Sequence, residues 1–143
     1  MKDKLIKGFA CGVFDLFHPG HVIMLRDCKK HCTFLSIGLN RASHFDVNIN
    51  PGKKIPIYSF EQRKLLLESS KYVDQVIGYE SEEELVAIMK NGKFDVRFLG
   101  DDYKGKPING TDAISNIIYL DRSHGLSSTY FKQQILNHYS LKS

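Results

Sequence analysis

Apolar runs that resemble buried strands alternate along the chain with segments that have helix-start signals, and this alternation constrains the fold most. The predicted strands span residues 5–11, 33–39, 72–77, 94–99 and part of 114–120. The predicted helices span residues 19–30, 59–67, 81–90 and 127–138. Strands separated by helices form right-handed βαβ units and hence a parallel sheet. The sequence therefore predicts an α/β protein, a single domain over residues 1–143 with a five-stranded parallel sheet flanked by helices.

Local signals set several of these boundaries. Residues 59–62 and 81–84 both have the pattern of a capping box, in which Ser and a Glu or Gln three residues later satisfy the first helical amides. The polar segments 40–58 and 100–110 contain the Gly and Pro residues typical of loops. Because ligands bind beyond the carboxyl ends of parallel strands, we expect the polar loops after strands one, two, four and five to converge on one site.

Composition excludes several classes of protein. No stretch approaches the ~20 apolar residues that cross a bilayer, and the N-terminus lacks the apolar core of a secretory signal. The three cysteines have no framework spacing, which indicates a reducing, cytoplasmic setting; Cys28, His31 and Cys32 lack a fourth metal ligand. The net charge of +4 is too small to indicate a nucleic-acid partner but suits a small anionic substrate.

The most informative motif follows the first predicted strand, where residues 12–21 are Gly-Val-Phe-Asp-Leu-Phe-His-Pro-Gly-His. His18 and His21 share one face if a helix begins here. The amides at a helix start attract anions and imidazole N–H groups add donors, so the motif predicts a polyphosphate site. The glycines lack the Lys-Ser/Thr of a P-loop and the spacing of a dinucleotide-binding fingerprint.

His18-Pro-Gly-His21 resembles the His-x-Gly-His signature of the nucleotidylyltransferase superfamily. Three later segments resemble blocks of its glycerol-3-phosphate cytidylyltransferase-like members, namely Lys-Tyr-Val-Asp-Gln-Val-Ile (71–77), Gly-Asp-Asp-Tyr-Lys-Gly (100–105) and Asp-Arg-Ser-His-Gly-Leu-Ser-Ser-Thr (121–129). The resemblance implies a Rossmann-like fold. It also implies transfer of CMP from CTP to a phosphomonoester, glycerol 3-phosphate by default, with release of pyrophosphate.

The resemblance further implies roles for particular residues. Those implied to be catalytic are His18, His21, Arg122 and Lys54, with Lys53 the other candidate of that Lys pair. Those implied to bind the nucleotide are Val13, Phe14, Asp101, Asp102, Gly125, Ser127, Ser128 and Thr129. Those implied to bind the acceptor phosphate are Arg63 and Lys71. Mg²⁺ is expected to arrive with CTP rather than in a cage of protein ligands, and a homodimer is expected.

Some residues allow a simpler interpretation or depart from the family. Asp15 is expected to be a structural carboxylate that accepts backbone N–H bonds, and the pair Asp101–Asp102 could equally form a solvated turn. The residues that differ from the usual family pattern are Val13, Lys71 and His124. Two alternatives therefore stay open: an adenylyltransferase that uses ATP on a phosphorylated or cofactor-like substrate, and a catalytically impaired nucleotide-binding protein.

Overall fold

The computed structural model of the chain describes residues 4–42 and 55–140. Its elements in chain order are β1 (Lys7–Gly12), α1 (Pro19–Lys29), β2 (Phe34–Asn40), α2 (Phe60–Glu68), β3 (Gln75–Tyr79), α3 (Glu82–Asn91), β4 (Val96–Gly100), β5 (Ile117–Leu120) and α4 (Ser128–Tyr139). The strands form one five-stranded, all-parallel sheet, which confirms the predicted α/β, Rossmann-like fold. None of the helices within the described ranges is long and apolar enough to cross a membrane.

The strand order β3-β2-β1-β4-β5 places β1 at the centre of the sheet. β1 pairs along its whole length with β2 and pairs with β4 at Gly8 and Phe9. From β1 the chain builds the sheet outward first towards β3 and then in the opposite direction towards β5, so a switch point lies between β1 and β4. The carboxyl ends of the strands meet at one edge, and the crevice of the switch point opens there.

Helices cover both faces of this sheet. On one face, Leu25 of α1 and Leu67 of α2 are fully buried in the larger core cluster. On the other face, Leu85 and Met89 of α3 pack with Phe9 of β1. Burying each of these side chains stabilises the fold by roughly 1.5–3 kcal/mol. The two packed faces therefore hold the strand ends, and the turns that follow them, in fixed positions.

The predicted helix starts form at the expected hydroxyl groups. Ser59 Oγ accepts the Gln62 N–H at 3.1 Å, and the Gln62 side chain accepts the Ser59 N–H at 3.0 Å, which completes a capping box. Ser81 Oγ accepts the Glu84 N–H at 3.1 Å, but the Glu84 side chain does not accept the Ser81 N–H, so the capping box predicted at 81–84 is only half formed. Ser127, one of the two residues predicted to cap the last helix, accepts the Tyr130 N–H at 3.0 Å.

The strands β1, β3 and β4 each begin two or three residues later than the sequence pattern indicates, and β1 starts at Lys7 rather than at residue 5. β3 starts at Gln75 rather than at residue 72, and β4 starts at Val96 rather than at residue 94. Before β3, Asp74 exchanges two hydrogen bonds with Leu35, through its own N–H and its carboxylate. The apolar residues ahead of β3 pack on the larger core cluster instead of joining the ladder. The segment 100–110, predicted as a loop, contains a 3₁₀ turn at Asp101–Tyr103.

Candidate functional site

An open cleft of ≈ 520 Å³ lies at the carboxyl edge of the sheet, over the switch point. Its walls come from the ends of the strands, from the turn before α1, from the segment after β4 and from the turn before α4. The predicted site residues that line it are Val13, Phe14, His18, His21, Arg122, Ser127 and Ser128. The first motif and the last segment of the predicted site, more than a hundred residues apart in sequence, therefore meet in one cavity.

His18 and His21 together cap the start of α1. His18 has an extended backbone, with φ −140° and ψ 174°, and its Nδ1 accepts the Gly20 N–H at 3.0 Å. The Nδ1 of His21 accepts the His18 N–H at 3.2 Å, so the two imidazoles form a reciprocal capping box. Pro19 occupies the first helical turn, where its missing N–H costs nothing. Since both Nδ1 atoms act as acceptors, each neutral ring has its proton on Nε2.

The two rings are stacked and largely withdrawn from water. Their centroids are 3.8 Å apart at an angle of 27°, and Phe14, Phe17 and Phe131 pack around them. Burial, with the neighbouring His18 and Arg122 charges, lowers the pKa of His21 to about 3, and burial also lowers the pKa of His18. Both rings are therefore neutral near pH 7 and donate through Nε2.

The Nε2 atom of His18 is buried and has no hydrogen-bond partner among the residues that the structure describes. A buried donor without a partner is uncommon in folded proteins and indicates a place where a ligand completes the bond. His18 lines the cleft. The unpaired N–H thus marks the position of an acceptor atom, such as a phosphate oxygen, in the cavity.

The turn that follows β5 forms the other anion-binding wall. Arg122 lines the cleft with 44% of its side chain exposed, and its Nη1 lies 3.9 Å from Asp102 Oδ1. Ser127 Oγ caps α4, while Ser128 Oγ donates to the Asp15 carbonyl at 3.0 Å. With both hydroxyls engaged, the anion-binding capacity of this helix start comes from its first backbone N–H groups.

Three predicted nucleotide-binding groups stand outside the cleft wall. Gly125 has φ +69° and closes the turn from Arg122, so the backbone conformation requires a glycine there, although a Cβ at this position would meet no other atom within 4 Å. Thr129 is exposed on α4. Asp101–Asp102 forms the 3₁₀ turn, and Asp102 approaches Arg122 in an exposed pair of the kind that contributes little stability.

The predicted role of Arg63 as an acceptor ligand does not fit its position. Arg63 is 2% exposed and does not line the cleft. Its guanidinium donates four hydrogen bonds to backbone carbonyls, those of Val13, Asn40, Arg41 and Tyr58, at 2.6–3.1 Å. The side chain fastens the ends of β1 and β2 to the start of α2, and its donors are used within the fold.

The predicted role of Lys71 does not fit either. Lys71 precedes β3, which places it at the amino edge of the parallel sheet, opposite the cleft. Its side chain is exposed, with Nζ 5.3 Å from the Tyr72 ring centroid. Lys53 and Lys54, the predicted triphosphate lysines, lie outside the described residues.

Asp15, expected to be a structural carboxylate, has backbone partners distant in sequence in addition to the Leu16 amide of its own turn. It accepts the N–H groups of Ile57 and Tyr58 at 2.8 and 3.0 Å, and Lys132 Nζ lies 3.6 Å away. Burial alone would raise the pKa of this carboxyl, but the Tyr58, Ile57 and Leu16 amides and the Lys132 charge together lower it. Asp15 therefore joins the turn before α1 to the entry of α2.

The cleft also contains residues that the sequence motifs did not assign. His124 is half-buried on the wall, and its Nδ1 accepts the Leu126 N–H at 2.9 Å. At the other end, the wall includes Cys11, Tyr79, Glu82 and Arg97. Arg97, a charged residue within a predicted buried strand, was the sequence signal that could have identified this end of the cleft.

A parallel α/β protein whose sheet edge presents neutral imidazole donors, an exposed arginine and the starts of two helices belongs to the class that binds nucleoside polyphosphates. The family described as Cytidylyltransferase-like matches residues 9–134. The chain therefore belongs to the cytidylyltransferase-like family and is a nucleotidyltransferase.

Curated relatives agree with this assignment. Glycerol-3-phosphate cytidylyltransferase of Bacillus subtilis (strain 168) is 34% identical over 129 residues, which cover 90% of this chain and 96% of that protein. The enzyme of the same name from Staphylococcus aureus (strain NCTC 8325 / PS 47) is 33% identical over 129 residues, 87% of this chain and 90% of that one. The bifunctional protein HldE of Campylobacter concisus (strain 13826) is 35% identical over 128 residues, 90% of this chain but only 26% of that protein.

A solved structure has the same fold. The lipopolysaccharide core biosynthesis protein from Thermoplasma volcanium GSS1 superposes with a TM-score of 0.61 at 27% identity, covering 82% of this chain and 95% of that one. The similarity spans most of this chain and nearly all of that one.

Proposed function

We propose that this protein transfers CMP from CTP to a phosphomonoester and releases pyrophosphate. The observation that supports the proposal most is the stacked pair of neutral imidazoles at the start of α1, each with a proton on Nε2 and one of them buried without a partner. Two neutral donors beside a helix start suit a reaction in which negative charge grows on phosphate oxygens.

The reaction needs little covalent assistance from the protein. An oxygen of the acceptor phosphate attacks the α-phosphorus of CTP in line, a new P–O bond forms, and the bond to the β-phosphate breaks with its electron pair on pyrophosphate. A phosphate monoester is mostly a dianion above its second pKa of about 6, so it is a competent nucleophile without a general base. Catalysis then depends on position and on stabilisation of the developing charge.

The cleft residues divide this work between them. His18 and His21 donate through Nε2 to oxygens around the α-phosphorus. Arg122 and the first amides of α4 neutralise the departing pyrophosphate. Lys54, from the segment outside the described residues, is proposed to assist them on the triphosphate.

We propose that Mg²⁺ enters this cleft bound to the triphosphate rather than held by a cage of protein side chains. Within residues 4–42 and 55–140 no group of three or more His, Cys, Asp and Glu side chains could hold a metal ion. The Asp15 carboxylate is occupied by two amides, and Asp121 accepts two hydrogen bonds from Ser123. Mg²⁺ keeps most of its water and takes few protein ligands when phosphates bind it. Bound in this way it would neutralise charge on the triphosphate.

The names of the relatives make glycerol 3-phosphate the first acceptor to test. The family resemblance also leads us to propose a homodimer, which light scattering of the purified chain at two concentrations would test. We further propose that the whole chain forms one domain.

The test is pyrophosphate release by the purified protein with CTP or ATP, with and without glycerol 3-phosphate, in the presence of Mg²⁺. His18→Asn is the matched control because Asn is a favoured N-cap and keeps α1 intact while the Nε2 donor is lost. We expect release that requires both CTP and the acceptor and that falls sharply in the variant. A preference for ATP would replace CTP in the proposal, and tight CTP binding without release would indicate an impaired enzyme.

A further inference from the structure

Arg97 is a buried cation in the middle of β4 whose role the proposed reaction does not use. It is 5% exposed, pairs in register with Phe9 of β1, and lines the cleft. Its Nη1 donates to the Asn109 carbonyl and lies close to Gly110, beside Met89 of α3. The guanidinium therefore lies on the α3 face of the sheet, at the floor of the cleft.

The charge of Arg97 has no counter-ion in the described part of the chain. No Asp or Glu among residues 4–42 and 55–140 forms an ion pair with it. Its Nε is buried and has no hydrogen-bond partner there. A buried guanidinium that is neither paired with an anion nor fully hydrogen-bonded is costly, so its presence beside an open cavity indicates an anionic ligand.

The groups around Arg97 do not supply that anion themselves. The Cys11 thiol lies against the guanidinium, yet burial raises the pKa of Cys11, so the sulphur stays protonated. Burial likewise raises the pKa of Tyr79, so its phenol stays neutral. Glu82, on the cleft wall, accepts from the Asn109 amide at 3.0 Å rather than from Arg97. The pocket thus contains the Glu82 carboxylate, whose charge helps to raise the pKa of Cys11 and Tyr79, but Glu82 is bonded to Asn109 and forms no ion pair with Arg97.

The position of this pocket relates it to the acceptor. Arg122 and the start of α4 lie at the β5 side of the cleft, where the leaving pyrophosphate is proposed to depart. Cys11 of β1 and Tyr79 of β3 line the cleft on the side away from β5, and the guanidinium of Arg97, from β4 between β1 and β5, lies against Cys11. Because attack on the α-phosphorus is in line with departure, the nucleophile approaches from the side opposite the leaving group. Arg63 and Lys71 lie elsewhere. Among the described residues, Arg97 and Arg122 are therefore the only Arg or Lys side chains that line the cleft.

We propose that Arg97 determines acceptor specificity by binding an anionic oxygen group of the phosphomonoester at the α3 side of the cleft. The effect of Arg97 on turnover rests on the proposed function, whereas the binding of an acceptor anion by Arg97 does not depend on it. The anion is either the attacking phosphate itself or a second acidic group, such as a carboxylate, on the same acceptor. Both sources present oxygens that suit the planar fork of a guanidinium.

Steady-state kinetics with two matched acceptors tests the proposal. Glycerol 3-phosphate and 3-phosphoglycerate have the same length, and the second has a carboxylate where the first has a hydroxymethyl group. We expect Arg97→Gln to raise the acceptor KM by about tenfold or more while kcat and the KM for CTP stay within about twofold of the wild-type values. A rise for both acceptors identifies the attacking phosphate, and a rise for 3-phosphoglycerate alone identifies the carboxylate. An unchanged acceptor KM, or an equal rise in the KM for CTP, overturns the proposal.

Two further variants separate binding from the anchoring of Asn109. Arg97→Lys keeps the charge without the fork, so it should recover part of the acceptor affinity that Arg97→Gln loses. No recovery at all would assign Arg97 to holding the segment after β4 and would overturn the proposal. Arg26→Gln is the control for loss of an arginine, because Arg26 forms an exposed pair with Asp27 on α1, away from the cleft. Its acceptor KM should not change.

Calorimetry without CTP keeps this inference separate from the proposed function. Each of the two acceptors is titrated into the wild-type protein and into Arg97→Gln. If no nucleotide is turned over but one acceptor binds about tenfold more tightly to the wild type, the reaction proposed above fails and the Arg97 assignment stands. If neither acceptor shows binding that depends on Arg97, the assignment fails whatever the turnover.

Discussion

Two buried arginines, Arg63 in α2 and Arg97 in β4, are 2% and 5% exposed, yet their surroundings differ completely. Arg63 donates to four backbone carbonyls at the corner where β1, β2 and α2 meet. Arg97 donates to the Asn109 carbonyl, and its Nε has no partner in the described chain. Burial alone therefore does not separate a structural charge from a functional one, whereas the number of satisfied donors does.

The same distinction exists within one ring at His18. Its Nδ1 is satisfied by the Gly20 amide and holds the helix start, while its Nε2 is buried and unpaired. One imidazole thus combines a structural atom and a ligand-binding atom. The comparison between Arg63 and Arg97 predicts that substitutions will separate into those that unfold the protein and those that leave it folded but impaired.

Replacing each arginine by methionine is the strongest test of the comparison. Arg63→Met should lower the free energy of unfolding by roughly 3–5 kcal/mol because four buried carbonyls lose their donors. Arg97→Met should change it by about 1 kcal/mol or less in either direction, since an unpaired buried charge is replaced by an apolar side chain. Urea denaturation measures both. Equal losses in the two variants would contradict the comparison.

His18→Asn extends the test to one residue with both kinds of atom. The amide oxygen of Asn can accept the helix amide in place of Nδ1, so stability should stay within about 0.5 kcal/mol of the wild type. The Nε2 donor is lost, so kcat should fall by about 10²–10³-fold. Turnover close to that of the wild type in a folded variant would remove His18 from the chemistry.

The pH dependence of stability tests the neutral state of the imidazoles. The pKa of His21 is about 3 in the fold and about 6.5 when unfolded, so the unfolded chain binds more protons between these values and stability falls as the pH decreases through that range. Between pH 7 and pH 5, His21 alone should account for a loss of about 2 kcal/mol. Denaturation curves at several pH values measure the loss. His21→Asn should show a shallower dependence, and an identical one would contradict the shift.

Arg122 provides an exposed arginine to set beside the two buried ones. Arg122→Lys should leave the melting temperature unchanged, because 44% of the side chain is already exposed. The KM for CTP should rise by about tenfold, since an ammonium cannot bind phosphate oxygens as a fork. An unchanged KM for CTP would place the triphosphate away from the turn before α4.

The smallest effect is expected at Lys71, on the edge of the sheet opposite the cleft. Lys71→Ala should change the free energy of unfolding by less than about 0.5 kcal/mol. Acceptor KM and kcat should equal those of the wild type. A marked loss of acceptor affinity would show that the amino edge of β3 reaches a substrate, for example across a subunit boundary.

The sequence predicted the fold and the caps well because those signals are local. Ser59 and Gln62 lie within one turn, so their capping box could be recognised without knowing the rest of the chain. The N-cap at His18 was harder to predict, because histidine is not among the preferred N-cap residues. His18 acts as the N-cap of α1 because it pairs with His21 in a capping box. The alternation of elements predicted the five-stranded parallel sheet but not its strand order, which the structure gives as β3-β2-β1-β4-β5.

The arginines could not be assigned from local pattern. Arg63 lies in an ordinary helical sequence, and its four acceptors come from Val13, Asn40, Arg41 and Tyr58, which only the tertiary fold brings together. The family resemblance drew attention to the residue but not to what it contacts. The local pattern by itself indicates no role for Arg97, because an apolar run that contains one charge still has the pattern of a strand.

The central position of β1 has a consequence for the order of events during synthesis. β1 is synthesised before the other strands, so β2 and then β3 can add on one side of it early. The other edge of β1 pairs with β4, which is made much later. The Lys7 N–H finally donates to the Asp95 carboxylate, 88 residues later. At roughly 5–20 residues per second, the chain therefore exists for roughly 4–18 s as a partial sheet with an open edge. An unpaired edge invites pairing with other chains. The nascent protein is thus most exposed to aggregation in the interval before β4 is made.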